Sequence, residues 1–269
     1  MSTIDYVAQK ISGAITIDGD ISKDVWASAQ WSKRFVDMVD GGPAIYNTQT
    51  AILWNDDFLY LAFDAQEPFL AANQTERDSI IFLENDLELF IDGGDCYYEL
   101  EVNALNTVYE ILFAWKDTFL ASGKFDLETF NVHSPSTFTF AGDYDRSGAS
   151  FWSGTHPRGA RWAFRDFDLA GLVTGVHLRG TLNDDSDVDE GWSLEIAIPW
   201  QSLGLLANGR TLPPRPGDIW SFFLGRFHKL IVGGEEIHPH PASALNSHGI
   251  YDTHQPEKWS RVLIADNLS

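Results

Sequence analysis

Apolar and polar positions alternate with a period of two along most of this chain, the pattern of strands that bury one face. Leu87, Leu89 and Ile91 alternate with Asp86, Glu88 and Phe90. After Gly93-Gly94-Asp95 the pattern resumes, with Tyr98, Leu100 and Val102 set against Tyr97, Glu99, Glu101 and Asn103. Val108 to Trp115 follows the Leu105-Asn106-Thr107 turn. Connections this short force antiparallel neighbours, so the spacing predicts a three-stranded meander. A hairpin is expected upstream, from Thr48 to Trp54 and Phe58 to Asp64, because Asn55-Asp56-Asp57 tolerates a tight turn. Further strands are predicted at Gly175 to Leu182, Trp192 to Ile198, Ile219 to Phe227 and Trp259 to Ala265. Near the N-terminus, Ile15 to Ile17 reads as a short strand closed by a hairpin-type turn, Asp18-Gly19-Asp20. Ile21 to Gln30 then reads as a short helix with Val25, Trp26 and Ala29 on one face, and Pro199 opens a helical turn ending near Leu205. Residues 116 to 172 show no steady period apart from a short strand at Thr137 to Phe140, and long irregular stretches are commonly functional. No linker or repeat divides the chain. The expectation is all-β: residues 1–269 as a single β-sandwich of two antiparallel sheets, with short helical turns and an irregular insertion at about 116–172.

Composition narrows the function. Lys and Arg total 18 against 39 Asp and Glu, a net charge of −21, which disfavours nucleic acid and anionic membrane as partners. No apolar run reaches the ~20 residues of a spanning helix. Cys96 is the single cysteine, so neither an intrachain disulfide nor a cysteine zinc site can form. Met1 to Tyr6 shows no leader pattern, which leaves the compartment unknown: cytoplasmic if the chain is complete, otherwise a protein whose leader is missing here. There is no G-x-S-x-G elbow, P-loop, G-x-G-x-x-G or H-E-x-x-H. Ten Trp and 13% aromatic residues suit both a sandwich core and flat ligand platforms.

The polar face of the meander carries Glu88, Glu99, Glu101 and Asn103. Carboxylates and amides beside aromatic rings suit a sugar, pairing with vicinal hydroxyls while a ring covers the C–H face. A plain solvent-facing sheet would have the same pattern. Two acidic turns, 92–95 and 184–190, make calcium a candidate cofactor, with Asp92, Asp95, Asp185 and Asp187 as the oxygen ligands. His238 and His240 flank Pro239, either as a metal clamp or as a stiffened surface loop. Haem is not expected: Met1 and Met38 are the only methionines, and a His ligand from the late cluster has no support in the sequence.

The ordered set of motifs resembles the family 9 carbohydrate-binding modules, in particular their stand-alone members, related to the DOMON-type sandwiches. The matching pieces run Ile17-Asp18-Gly19 with Trp26, Leu53-Trp54-Asn55-Asp56, Glu67-Pro68, Asn85 to Asp92 and Tyr97 to Thr107. They continue with Gly180 to Asn183, Gly191-Trp192, Glu195 to Trp200, Gly217 to Trp220 with Arg226, and His254, Pro256-Glu257 and Trp259. The resemblance implies a secreted or periplasmic β-sandwich, calcium in some members, and a sugar on one sheet face between two aromatic rings. By that correspondence Glu88 contacts sugar hydroxyls and Phe82 stands at one stacking position. The sequence departs at Ala244-Leu245-Asn246-Ser247, where the family's second stacking Trp would lie. Alternation and resemblance together give Phe82, Glu88, Glu99, Glu101, Asn103 and Arg226 as the candidate sugar-binding set of a non-catalytic protein. The competing expectation is an enzyme on the same scaffold, glycosyl hydrolase-like or isomerase/cyclase-like. In it the aromatic-rich 116–172 segment (Phe138, Phe140, Trp152, Trp162) would lid an acidic pocket.

Overall fold

The computed structural model describes residues 3–121, 123–140 and 156–266; Trp152 lies outside them. The first strands are β1 (Tyr6–Lys10), the short β2 (Val36–Asp37), β3 (Thr48–Trp54) and β4 (Phe58–Gln66). The meander is β5 (Asp86–Asp92), β6 (Cys96–Asn103) and β7 (Val108–Trp115). Then come β8 (Thr137–Phe140), β9 (Arg161–Phe164), β10 (Val173–Arg179), β11 (Gly191–Pro199) and β12 (Ile219–Phe227). Three short strands, β13 (Ile231–Val232), β14 (Glu235–Glu236) and β15 (Ala242–Ala244), precede the last, β16 (Ser260–Ala265). No helix among the described residues is long and apolar enough to cross a membrane.

The strands hydrogen-bond in the order β10-β11-β4-β3-β1-β16-β12-β5-β6-β7-β9-β8. Pairing is antiparallel except at β1, which lies parallel to both β3 and β16 and so joins the two halves of the path. The halves pack face to face as a β-sandwich, with Ile52, Leu61 and Leu194 of one meeting Leu89, Leu100 and Leu112 of the other in one buried cluster. The two layers of the expected sandwich are joined through this parallel seam into one continuous path, and β13 and β14 pair as a small second sheet. The seam needs β1, a five-residue strand whose partners lie far away in sequence.

Turn chemistry explains why the hairpins form where expected. Asn55 Oδ1 accepts the amides of Asp57 and Phe58 at 2.9 and 2.7 Å. Asn103 Oδ1 does the same for Leu105 and Thr107 at 3.0 and 2.9 Å. The Asp18-Gly19 turn differs from expectation. No strand forms at residues 15–17, and the helix α1 is only Asp24–Ala27. The turn docks onto the β10–β11 face instead. Gly19 has φ +85°, and a Cβ there would lie 2.3 Å from the Val176 backbone. Buried Glu195 gathers this corner by accepting the amides of Asp18 and Gly19, the Lys23 ammonium and the Trp26 indole N–H, at 2.6 to 2.9 Å.

Candidate functional site

The pleat puts Asp86, Glu88 and Phe90 of β5, Glu99 and Glu101 of β6, and Tyr109 and Phe113 of β7 on one face, opposite the aliphatic core. That face is not an open surface. Glu88, Glu99 and Glu101 are 3%, 4% and 2% exposed. β9 extends the sheet beyond β7, pairing Phe113 with Ala163, and β8 lies outside it. Phe138 and Phe140 of β8 and Arg165, just after β9, close over the glutamates from one side. Phe227 and the segment Tyr251 to His254 close from the other. A cavity of about 290 Å³ remains. Phe82 forms part of its rim, 37% exposed and edge-on to Tyr109 at 5.9 Å. The His254 ring lies 4.4 Å from Phe140 and 5.1 Å from Phe113, with Nδ1 3.1 Å from the Tyr97 hydroxyl and 3.7 Å from Glu99 Oε2.

The electrostatics of the floor are unusual. Glu88 stands directly across from Glu101 in the β5–β6 register, and like charges so placed destabilise a sheet. One oxygen each from Asp86, Glu88 and Glu101 lies within 4.8 Å of the others. Burial pushes the Glu101 carboxyl well above the usual range, and Glu88, Asp86 and Glu99 push it further. Asp86 is raised as well, by burial first; its Oδ1 accepts the Phe227 amide at 3.2 Å. Neither Asp86 Oδ2 nor Glu101 Oε2 has a hydrogen-bond partner among the described residues. The other buried acids differ: Glu195 takes the donors above, Glu110 takes Arg77, the Tyr98 hydroxyl and the Leu169 amide, and Glu67 takes Arg226, His228 and Asn85. Donors surround each of those, whereas Glu101 lies directly across from Glu88.

The sequence-predicted set therefore divides. Phe82, Glu88, Glu99 and Glu101 meet at the cavity. Asn103 does not; both ends of its amide hold the β6–β7 turn and its surroundings, with Nδ2 donating to Gln74 O and Glu84 Oε1 at 2.9 Å each. Arg226 points to the opposite side of β12. There it pairs with Glu67, donates to Gln66 O at 2.7 Å and Thr48 Oγ1 at 3.1 Å, and lines a different cavity of about 460 Å³. Missed by sequence reasoning were Asp86, Tyr109, Phe113, Arg165 and Asp252. The period-two pattern of Tyr109, Ile111 and Phe113 was a usable signal for the β7 members.

None of the four acids expected to hold calcium lines the cavity. Asp92 Oδ1 accepts the Gly94 amide at 2.9 Å, and Asp95 is matched by Lys124 at 2.9 Å. Asp185 and Asp187 are exposed, and Asp187 accepts the Thr181 hydroxyl at 3.2 Å. Among the described residues neither turn brings three ligand atoms together; the groups that do are Asp86/Glu88/Glu101 and the surface set Glu236/His238/His240.

No family model matches the sequence, and no curated protein matches it. Solved structures do. A family 9 carbohydrate-binding module from Caldicellulosiruptor kristjanssonii in complex with glucose aligns with a TM-score of 0.54 at 13% identity, covering 97% of this chain and 95% of that one. The module from the same organism in complex with cellotriose gives 0.54 at 12%, covering 97% and 94%. A candidate carbohydrate-binding protein from Bacteroides uniformis ATCC 8492 gives 0.57 at 12%, covering 96% and 97%. The chain thus has the fold of the family 9 carbohydrate-binding modules over nearly its whole length.

Proposed function

We propose that this chain is a carbohydrate-binding protein whose sugar lies in the cavity above β5, β6 and β7. The observation that carries the reading is the meeting of carboxylates and aromatic rings on one enclosed sheet face. Glu88, Glu99 and Glu101 offer acceptors for vicinal hydroxyls, and Tyr109, Phe113 and Phe140 offer flat surfaces for C–H faces. The similar modules that hold glucose and cellotriose support the ligand class. About 290 Å³ suits one or two sugar rings better than a long polysaccharide. A ring stack contributes about 0.5–1.5 kcal/mol, so affinity in the micromolar to millimolar range is expected.

Isothermal titration with glucose and with short cello-, xylo- and chito-oligosaccharides tests the reading. Binding to at least one of them, abolished by Glu88→Gln in a folded protein, is expected. Silence across the panel would overturn it. A second reading, catalysis on a bound sugar, is favoured by the enclosure and by a Glu101 carboxyl that burial holds well above its ordinary range. It requires turnover of chromogenic glycosides that Glu101→Gln abolishes.

A further inference from the structure

We propose that Glu236, His238 and His240 form a binding site for a divalent transition-metal ion, zinc in particular, beside the cavity of about 460 Å³. The His-Pro-His run supplies two ligands, and the β13–β14 hairpin supplies the third. One side-chain ligand atom from each residue lies within 4.8 Å of the other two. Both imidazoles turn Nε2 toward a single carboxylate oxygen, Glu236 Oε1, at 2.7 Å from His240 and 3.4 Å from His238. Their rings are stacked, with planes 21° apart and centroids separated by 5.1 Å. Ligand atoms around a four-coordinate zinc stand about 3.4 Å apart, since each lies about 2.1 Å from the metal. The His238 contact already has that spacing, and the His240 contact reaches it by opening about 0.7 Å. Two imidazoles and one carboxylate suit zinc, copper or nickel, whereas calcium and magnesium take oxygen ligands.

Neighbouring contacts hold the three ligands in place. Gly233 and Gly234, with φ of +62° and +86°, turn the β13–β14 hairpin, and the Ile237 amide extends its ladder by donating to Leu230 O at 2.8 Å. Glu236 is thereby brought back beside Lys229, whose ammonium lies 3.0 Å from Oε2. That contact occupies one carboxylate oxygen and leaves the other to the imidazoles, as an outer partner does for a metal-binding carboxylate. Beyond the histidines, the Tyr251 hydroxyl donates to His240 O at 2.6 Å and the His228 amide donates to Pro241 O at 3.0 Å. His240 and Lys229 hold the Glu236 carboxyl below its ordinary range, which keeps it in the anionic form a metal requires. Three protein ligands leave a fourth position for water or an atom of a bound molecule. His240 and Pro239 border the cavity that Tyr46 and His228 also line. None of the three ligands belongs to the glutamate floor, so this site is independent of the sugar reading.

The experiment titrates tag-free, chelator-treated protein with zinc chloride by calorimetry, alone and in the presence of calcium chloride. It compares wild type with His238→Ala, Glu236→Gln and His133→Ala, the last an exposed histidine away from the site. The His238 and Glu236 side chains are 68% and 32% exposed, so neither substitution should disturb folding. One zinc per chain, bound at about 10 μM or tighter and unaffected by calcium or by His133→Ala, is the expected result. Loss of an outer partner already costs a metal site about 10- to 100-fold, so loss of either ligand should weaken zinc at least about tenfold. Zinc binding weaker than about 1 mM in wild type would overturn the inference. So would affinity unchanged in either His238→Ala or Glu236→Gln, which would place the zinc elsewhere on the chain. Displacement of zinc by an equal concentration of calcium would overturn it as well, because an imidazole pair discriminates against calcium. None of these outcomes touches the sugar reading, which the Glu88→Gln titration tests.

Discussion

Glu101 stands in a place no isolated glutamate would choose, buried on a strand directly opposite Glu88. Its raised carboxyl keeps a proton in the folded chain at pH values where the unfolded chain has lost it. That stabilisation is full at acidic pH and is lost as pH rises from about 4.5 through the raised value. Wild-type melting temperature should therefore fall relative to Glu101→Gln as pH rises above about 5, at about 2–4 °C per kcal/mol for a chain of this size. Parallel melting curves for the two proteins would refute the raised carboxyl. The comparison stays above pH 5 because Glu67 has the opposite sign. Burial raises it, but His228 and Arg226 overcome this and lower it, so its contribution is lost only on acidification. Arg226 and Glu88 separate structure from binding. Arg226→Met strands Glu67, 1% exposed, and should cost about 3–5 kcal/mol in denaturant unfolding while the surviving folded fraction still binds ligand. Glu88→Gln should keep stability within about 1 kcal/mol, or raise it by relieving the repulsion with Glu101, and lose ligand. If the two outcomes were exchanged, Arg226 would be the binding residue and Glu88 the structural one. The sequence motif lists both residues side by side, and only the pleat parity of β12 and β5 distinguishes them.

At the level of elements, the meander was legible because its determinants are local. Alternation sets the faces of β5, β6 and β7, short turns set their pairing, and the bounds of β5 and β7 are those the pattern predicts. Leu89, on the inward face, is fully buried in the main cluster, so Leu89→Ala should cost about 2–5 kcal/mol by chemical denaturation. What the pattern could not give was the cover. Polar residues on an alternating strand read as solvated until something is known to pack on them, and here β8, β9 and Tyr251 to His254 come from 20 to 150 residues away. The β1 seam was missed for the same reason, since its ladder joins Tyr6 to Val262. Phe138 tests the cover directly. It is 37% exposed on the short outer strand β8, so Phe138→Ala should barely move the melting temperature. Loss of one ring face should weaken ligand several-fold by titration calorimetry, about 0.5–1.5 kcal/mol. Unchanged affinity would mean that β8 covers the face without contributing to binding.

Across the whole molecule, the sandwich supplies a rigid floor and longer-range segments turn one of its faces into an enclosed site. The net charge of −21 is likewise not a uniform coat. Glu67, Glu110 and Glu195 are buried within shells of donors and tie distant segments together, while Glu88, Glu99 and Glu101 line the cavity together with aromatic rings. Composition gives that charge total, and only the folded arrangement separates the two kinds of acid. A second cavity, of about 460 Å³, lies beyond β12 between Tyr46, His228 and Tyr251, and offers a competing location for any small molecule. The most direct test is a crystal structure of the protein soaked with the tightest sugar found by titration. Density for the sugar between Phe113 and Phe138, with hydroxyl groups on Glu88 and Glu101, is the predicted result; density beside Tyr46 and His228, with the glutamate floor empty, would contradict it.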